Sequence, residues 1–237
     1  MQGMTVELFG LPGAGKSAAT QQVLELLHDN GVTATPACAR FAPEANAAAR
    51  VARKVAFAGR AVRADPAGSV AVARALLDSR QRRAQDVPRR LLNWLAVQGL
   101  LHAASPPADV RILDEGVAQA LWSIALWGNV DGLLALLSRE PDTWRRPDLL
   151  VVLDAPCELA HSRLGGRAAS HSRIDRITDP TAQLQELRRG RSLLREIVAW
   201  FVSVTSQAVL EVPVDAQLTP QLIGRRIADA VSPRRAL

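Results

Sequence analysis

Five short apolar runs set the rhythm of the chain, at residues 5–9, 32–37, 110–113, 149–153 and 209–214. Each is bounded by turn or helix signals and is apolar at nearly every position. Such runs predict strands buried on both faces, the habit of a parallel sheet. Helical patterns fill the gaps. Residues 18–30 are amphipathic, 44–60 are alanine-rich with charges along one face, and 69–79 and 89–103 repeat apolar residues at three and four. Pro66, Pro88 and Pro106-Pro107 punctuate this region. Further helices are expected over 117–127, 133–137, 158–164, 181–203 and 219–231. Strands alternating with helices predict a three-layer α/β fold, a five-stranded parallel sheet flanked by helices. The segment of about 40–105 is a helical insertion, large enough to cap a site.

Composition narrows this little. The 237 residues suffice for one large α/β domain over 1–237, and 48% hydrophobic with 22% charged residues describe an ordinary globule. No basic-then-apolar leader precedes residue 10, and the most apolar stretch, 116–138, is broken by Asn129 and Asp131. A cytoplasmic protein without a membrane span is expected. Cys38 and Cys157 fit small buried hydrophobes in a reducing compartment. The formal charge is +6, yet there is no tyrosine and there are only four phenylalanines, which disfavours a nucleic-acid partner. A small-molecule acceptor is the expected partner, and a homodimer is compatible with the same features.

Residues 10–17 change the picture. Gly10-Leu11-Pro12-Gly13-Ala14-Gly15-Lys16-Ser17 matches the phosphate-binding pattern G-x-x-x-x-G-K-[ST] in full, between an expected strand and an expected helix. Glycines let the backbone fold into a nest of inward N–H groups, and the helix beginning near Ala18 adds its positive end. Lys16 then reaches the terminal phosphates, and the Ser17 hydroxyl binds magnesium. ATP with Mg²⁺ is the expected ligand pair.

Two acids, Asp114 and Glu115, end the third apolar run. An aspartate at such a strand end lies beside the phosphate nest and holds Mg²⁺ with Ser17. Three readings of Glu115 stay open: a solvated acid paired with an arginine, a general base for an attacking hydroxyl, or an acid that polarises water in an ATPase. Downstream, Arg163, Arg167, Arg173 and Arg176 cluster after a strand ending at Asp154, and Gly165-Gly166 with Ser170 permit a loop between the pairs. Arginines closing over a triphosphate neutralise charge on the moving phosphoryl group and exclude water. A solvated basic face paired with Asp175 and Glu186 is the plainer alternative.

The phosphate loop, the Pro-Asp-Leu…Asp-Ala-Pro-x-Glu-Leu-Ala run at 147–160 and Ser-Arg-Leu-Gly-Gly-Arg at 162–167 together resemble the P-loop nucleoside-monophosphate kinase group, closest to thymidylate kinases. The Val-Pro-Val-Asp-Ala segment at 212–216 is similar to that group's last strand and base-covering loop. The resemblance implies a mobile lid at about 163–180 and transfer of the γ-phosphoryl of ATP to a small acceptor. It implies Arg163 on adenine, Arg167 on phosphates, Arg173 and Arg176 in the lid, and Asp215-Ala216 beside the base. Lys16, Glu115, Arg167 and Arg173 are thus the catalytic candidates. The acceptor stays open among nucleotides, nucleosides and sugars, because Asp114-Glu115 stands where thymidylate kinases carry Asp-Arg. Residues 40–44, Arg-Phe-Ala-Pro-Glu, only loosely echo their acceptor motif. His28, His102, His161 and His171 share no metal-ligand spacing. Trp122 and Trp127 read first as core and second as acceptor-pocket walls. The run from Arg80 to Arg90 reads first as a solvated helix face and second as a contact for an anionic acceptor.

Overall fold

In the computed structural model, which describes residues 3–37, 46–103, 108–166, 172–205 and 207–231, all five apolar runs are strands. They are β1 (Met4–Gly10), β2 (Ala34–Pro36), β3 (Val110–Leu113), β4 (Leu149–Asp154) and β5 (Ala208–Pro213), in the order β2-β3-β1-β4-β5. Every pairing is parallel. The central strands β1 and β4 are buried along almost their whole length, which is why they read as continuous apolar runs. Strand β2 is shorter than expected. The Thr33 amide donates to the Asp109 carboxylate (2.9 Å) instead of joining the ladder.

Nine helices occupy the described gaps: α1 (Lys16–Asp29), α2 (Ala47–Ala64), α3 (Pro66–Asp78), α4 (Asp86–His102), α5 (Val117–Ala125), α6 (Asp131–Arg139), α7 (Cys157–Gly165), α8 (Pro180–Thr205) and α9 (Pro220–Val231). Pro66 and Pro88 mark where helices begin, in keeping with the sequence pattern. They sit in the first turns of α3 and α4, where a missing N–H loses no intrahelical bond. Asp65 serves twice, ending α2 and capping α3 by accepting from the Gly68 amide (2.9 Å). Helix α1 packs against α9, while α4, α5 and α8 form a second connected group. The insertion joins the main apolar core through Val72, Leu76, Trp94 and Val97.

The parallel register sets where chemistry can occur. Gly10 lies opposite Leu153 and Glu7 opposite Leu113, so β1, β3 and β4 deliver their carboxyl ends to one edge of the sheet. The connection leaving β1 runs towards β2, and the one leaving β3 crosses β1 to reach β4. This reversal opens a crevice at the carboxyl edge, where ligands bind in open α/β sheets.

Helices α2 and α4 are held close by a glycine. A Cβ at Gly99 would overlap the Phe57 carbonyl oxygen across the interface, whereas a Cβ at Gly59 of α2 would meet nothing within 4 Å. Gly99→Ala is expected to destabilise the protein by about 2–3 kcal/mol through forced separation of the pair. Gly59→Ala should stabilise it by about 0.5–1 kcal/mol through helix propensity. Thermal melts of both variants against the parent check the contrast.

Candidate active site

Where β1 ends, residues 11–15 curl back into α1. Gly13 (φ 88°) and Gly15 (φ 95°) take the left-handed conformation that other residues resist, and a Cβ at Gly13 would overlap the Ala160 carbonyl of α7. Gly15 is the N-cap of α1. No side chain caps the helix and no acid stands in its first turn, so its amide end is left for an external anion. The Lys16 ammonium donates to the carbonyls of Gly10 (2.7 Å) and Leu11 (3.2 Å). Arg163 brings a guanidinium nitrogen to within 3.7 Å of the position a Gly15 Cβ would take.

Asp114 and Glu115 leave β3 next to this loop, and both line one open cleft of about 1380 Å³ with Lys16 and Ser17. The Ser17 hydroxyl and the Asp114 carboxylate are hard oxygen donors of the kind magnesium takes, so the residues present fit that ion.

The acids are positioned from below by a residue the motif analysis did not single out. Glu7, fully buried in β1, accepts hydrogen bonds from the amides of Val117 (2.8 Å) and Gln119 (3.0 Å). It therefore caps α5 from another strand, a role worth about 0.5–2 kcal/mol for an N-cap. Gly116 is required there, since a Cβ would overlap the Glu7 carboxyl group. Burial pushes that carboxyl up to about 7, against the backbone hydrogen bonds that favour its charge.

The cleft ends in a polar cluster built by α4, α5 and the turn after residue 171. Arg90 donates to the Ser123 hydroxyl (2.6 Å), and Arg173 donates to the same hydroxyl (3.2 Å) and to the Ser123 carbonyl. Asp86 lies 3.8 Å from Arg173, whose guanidinium stacks 4.2 Å above the Trp127 ring. Burial and then the Arg90 charge pull Arg173 down to about 10. Nitrogens sharing one hydroxyl stand at most about 6 Å apart, so the two cations repel by about 3 kcal/mol at an effective dielectric near 20. The single ion pair with Asp86 returns about 4 kcal/mol on the same scale. Asp86 acts on both guanidiniums, and Glu115 on Arg90 and Glu186 on Arg173 add to it. Asp86 Oδ2, Arg90 Nε, Arg173 Nη1 and Gln119 Oε1 are buried with no hydrogen-bond partner among the described residues.

Of the residues expected from sequence, Gly10 through Ser17, Asp114 and Glu115 converge at the carboxyl edge, with Arg163 at the loop's mouth. Arg173 faces α4 and α5, the far end of the cleft. Asp215 accepts from the amides of Gln217 (2.8 Å) and Leu218 (2.7 Å), and neither Asp215 nor Ala216 is among the residues lining the cleft. Arg167, His171 and residues 40–44 lie outside the described residues. The run from Arg80 to Arg90 is not one solvated helix face: it spans a turn and the start of α4, and Arg82, Arg83, Arg89 and Arg90 line the cleft. Trp122 and Trp127 line it too, and Trp122 is also core, its indole N–H donating to the Gly190 carbonyl (2.7 Å). Glu7 had one visible signal, an acid inside an apolar strand. Asp86, Gln119 and Ser123 had none.

The raised Glu7 carboxyl predicts a pH dependence. Between its ordinary value of 4.5 and about 7, the folded state holds a proton that the unfolded state releases. Stability therefore falls as pH rises through that window, by a few kcal/mol. Glu7→Gln is expected to flatten the curve, read from urea melts at pH 5 and pH 8.

No family model matches the chain, and no curated protein matches it in sequence. Its fold has solved counterparts. A deoxyadenosine kinase from M. mycoides with the products dCMP and a flexible dCDP is similar at TM-score 0.53 and 14% identity, covering 98% of this chain and 100% of its own. The same kinase with bound dCTP is similar at TM-score 0.50 and 14% identity, covering 97% and 100%. The five-stranded parallel sheet flanked by helices is thus a fold this chain shares with that deoxyadenosine kinase.

Proposed function

We propose that this chain is an ATP-dependent phosphotransferase that moves the γ-phosphoryl group of ATP to a hydroxyl of a small acceptor. One observation carries the reading: a single cleft joins the phosphate loop, the Asp114-Glu115 acids and the polar cluster of α4 and α5. A hydrolase needs only the first two. The likeness in fold to deoxyadenosine kinases supports nucleosides and nucleotides as the first acceptors to try. On this reading residues 1–237 form one kinase unit, with 40–105 as acceptor cap and 163–180 as lid.

The triphosphate lies against the Gly10–Ser17 backbone, its charge met by the amides of α1. Lys16 exchanges the carbonyls of Gly10 and Leu11 for phosphate oxygens. Ser17 and Asp114 would hold Mg²⁺, which draws charge from the transferring group when bound. Glu115 accepts the proton as the acceptor oxygen bonds to γ-phosphorus and the bond to the bridging oxygen of ADP breaks. Arg163, with Arg167, neutralises charge on the phosphate chain.

Lys16→Ala is expected to weaken MgATP binding at least 100-fold in calorimetry while the melting temperature holds. Glu115→Gln should bind MgATP normally and lose about 100-fold or more in the rate of labelled phosphoryl transfer. Fast ATP hydrolysis without any acceptor, abolished by the same Glu115→Gln change, would instead identify an ATPase.

A further inference from the structure

The acceptor end of the cleft carries more positive charge than a kinase of neutral acceptors needs. Nine Lys and Arg residues line the cleft against three acids, counted among the described residues. Lys16 and the phosphate loop account for the triphosphate. The excess gathers elsewhere, on α4 and the turn that precedes it. Arg90 and Arg173 converge on one serine hydroxyl, with Asp86 beside Arg173. Beside them Arg83 and Arg89 are exposed, with no hydrogen-bond or ion-pair partner among the described residues.

Two facts argue against reading this as a solvated basic face. Arg90 and Arg173 are half-buried; Arg90 Nε is a buried donor without an acceptor, and Arg173 Nη1 faces only Asp86 Oδ2, at 3.8 Å, beyond hydrogen-bond reach. Like charges drawn together inside a cleft are stabilised when an anion sits between them, and guanidinium forks match the oxygens of phosphate or carboxylate. The aromatic platform is also taken: Trp127 is covered by Arg173 at 4.2 Å and approached by Arg82 at 5.9 Å. Flat, uncharged ligands therefore find little open stacking surface at that ring.

We propose that the phosphoryl acceptor itself bears an anionic group, a phosphate or a carboxylate, held by Arg90 and Arg173 with Arg83 and Arg89 at the rim. This deepens the kinase reading and rests on it. The hydroxyl that receives the phosphoryl group then points towards Glu115, and the anionic group points towards Ser123. Asp86 sets the orientation of Arg173 and repels an acceptor inserted the wrong way round.

The test separates the two claims. Protein saturated with Mg²⁺ and a non-hydrolysable ATP analogue is titrated with inorganic phosphate and, separately, with acetate in a calorimeter. One anion is expected to bind with the loop already filled, and Arg90→Gln should weaken it at least tenfold. Because Arg90 is half-buried and its loss could disturb packing, the exposed variant Arg89→Ala supplies a second arm, expected to weaken binding several-fold and to reduce its salt dependence. Absence of binding by both anions overturns the inference and leaves the kinase reading standing. Matched acceptors follow, each hydroxyl compound offered plain, as its phosphomonoester and as its carboxylate. At least tenfold higher kcat/KM for one charged class is expected, and which class wins names the anion. Equal or better use of the plain compounds overturns the inference alone. Transfer to none of them, with ATP bound, overturns the kinase reading and this inference with it.

Discussion

A buried carboxylate, Glu7, ties the two halves of the site together. It sits in the strand that ends in the phosphate loop and receives the first amides of the helix that follows the two acids. Neither half could shift without leaving a charge or a helix end unsatisfied in the core. Such a bond carries little net stability, because desolvation opposes it. Its value is geometric: it sets the distance between the glycine-rich loop after β1 and the acids that end β3. Gly116 follows from Glu7, since the carboxyl group fills the space a side chain would need.

Around that joint the molecule separates charge by task. The loop after β1 presents mainly backbone amides, which are neutral and already oriented. The opposite wall uses guanidiniums, which are charged and mounted on side chains. Backbone amides suit a ligand of constant shape such as a triphosphate. Guanidinium forks, mounted on side chains, suit a partner whose anionic group must be told apart from neutral relatives.

The helical insertion earns its place in the core before it can line a cleft. Trp94 of α4 lies 6.5 Å from Trp144, which stacks on Trp200 of α8 at 5.7 Å. Gln98 exchanges two hydrogen bonds with the backbone of Arg145. These contacts fasten one end of α4, and the opposite end carries Asp86, Arg89 and Arg90. On α8, Arg191 grips Asp154 at the end of β4 with two hydrogen bonds of 2.7 and 2.8 Å. Arg89 and Arg90 of the cleft are thus mounted on a helix anchored outside it.

Local pattern was enough for the strands, the phosphate loop and the acids after β3, because each depends on neighbours in the chain. Apolar runs make buried strands, glycines at fixed offsets make a nest, and a strand end places its next residue at the sheet edge. The same local logic held for Pro66 and Pro88, which stop a helix from inside but start one from its first turn. It failed for the arginines near residue 80, because a charge run looks the same whether it faces water or a cleft. Only the packing of α4 against α5 and the 172–177 turn decided that, by bringing Arg90, Ser123 and Arg173 together from three distant segments. Glu7 marks the boundary between the two kinds of information. Its presence in an apolar strand was visible along the chain, but its hydrogen-bond partners lie more than a hundred residues away and exist only once the sheet has formed.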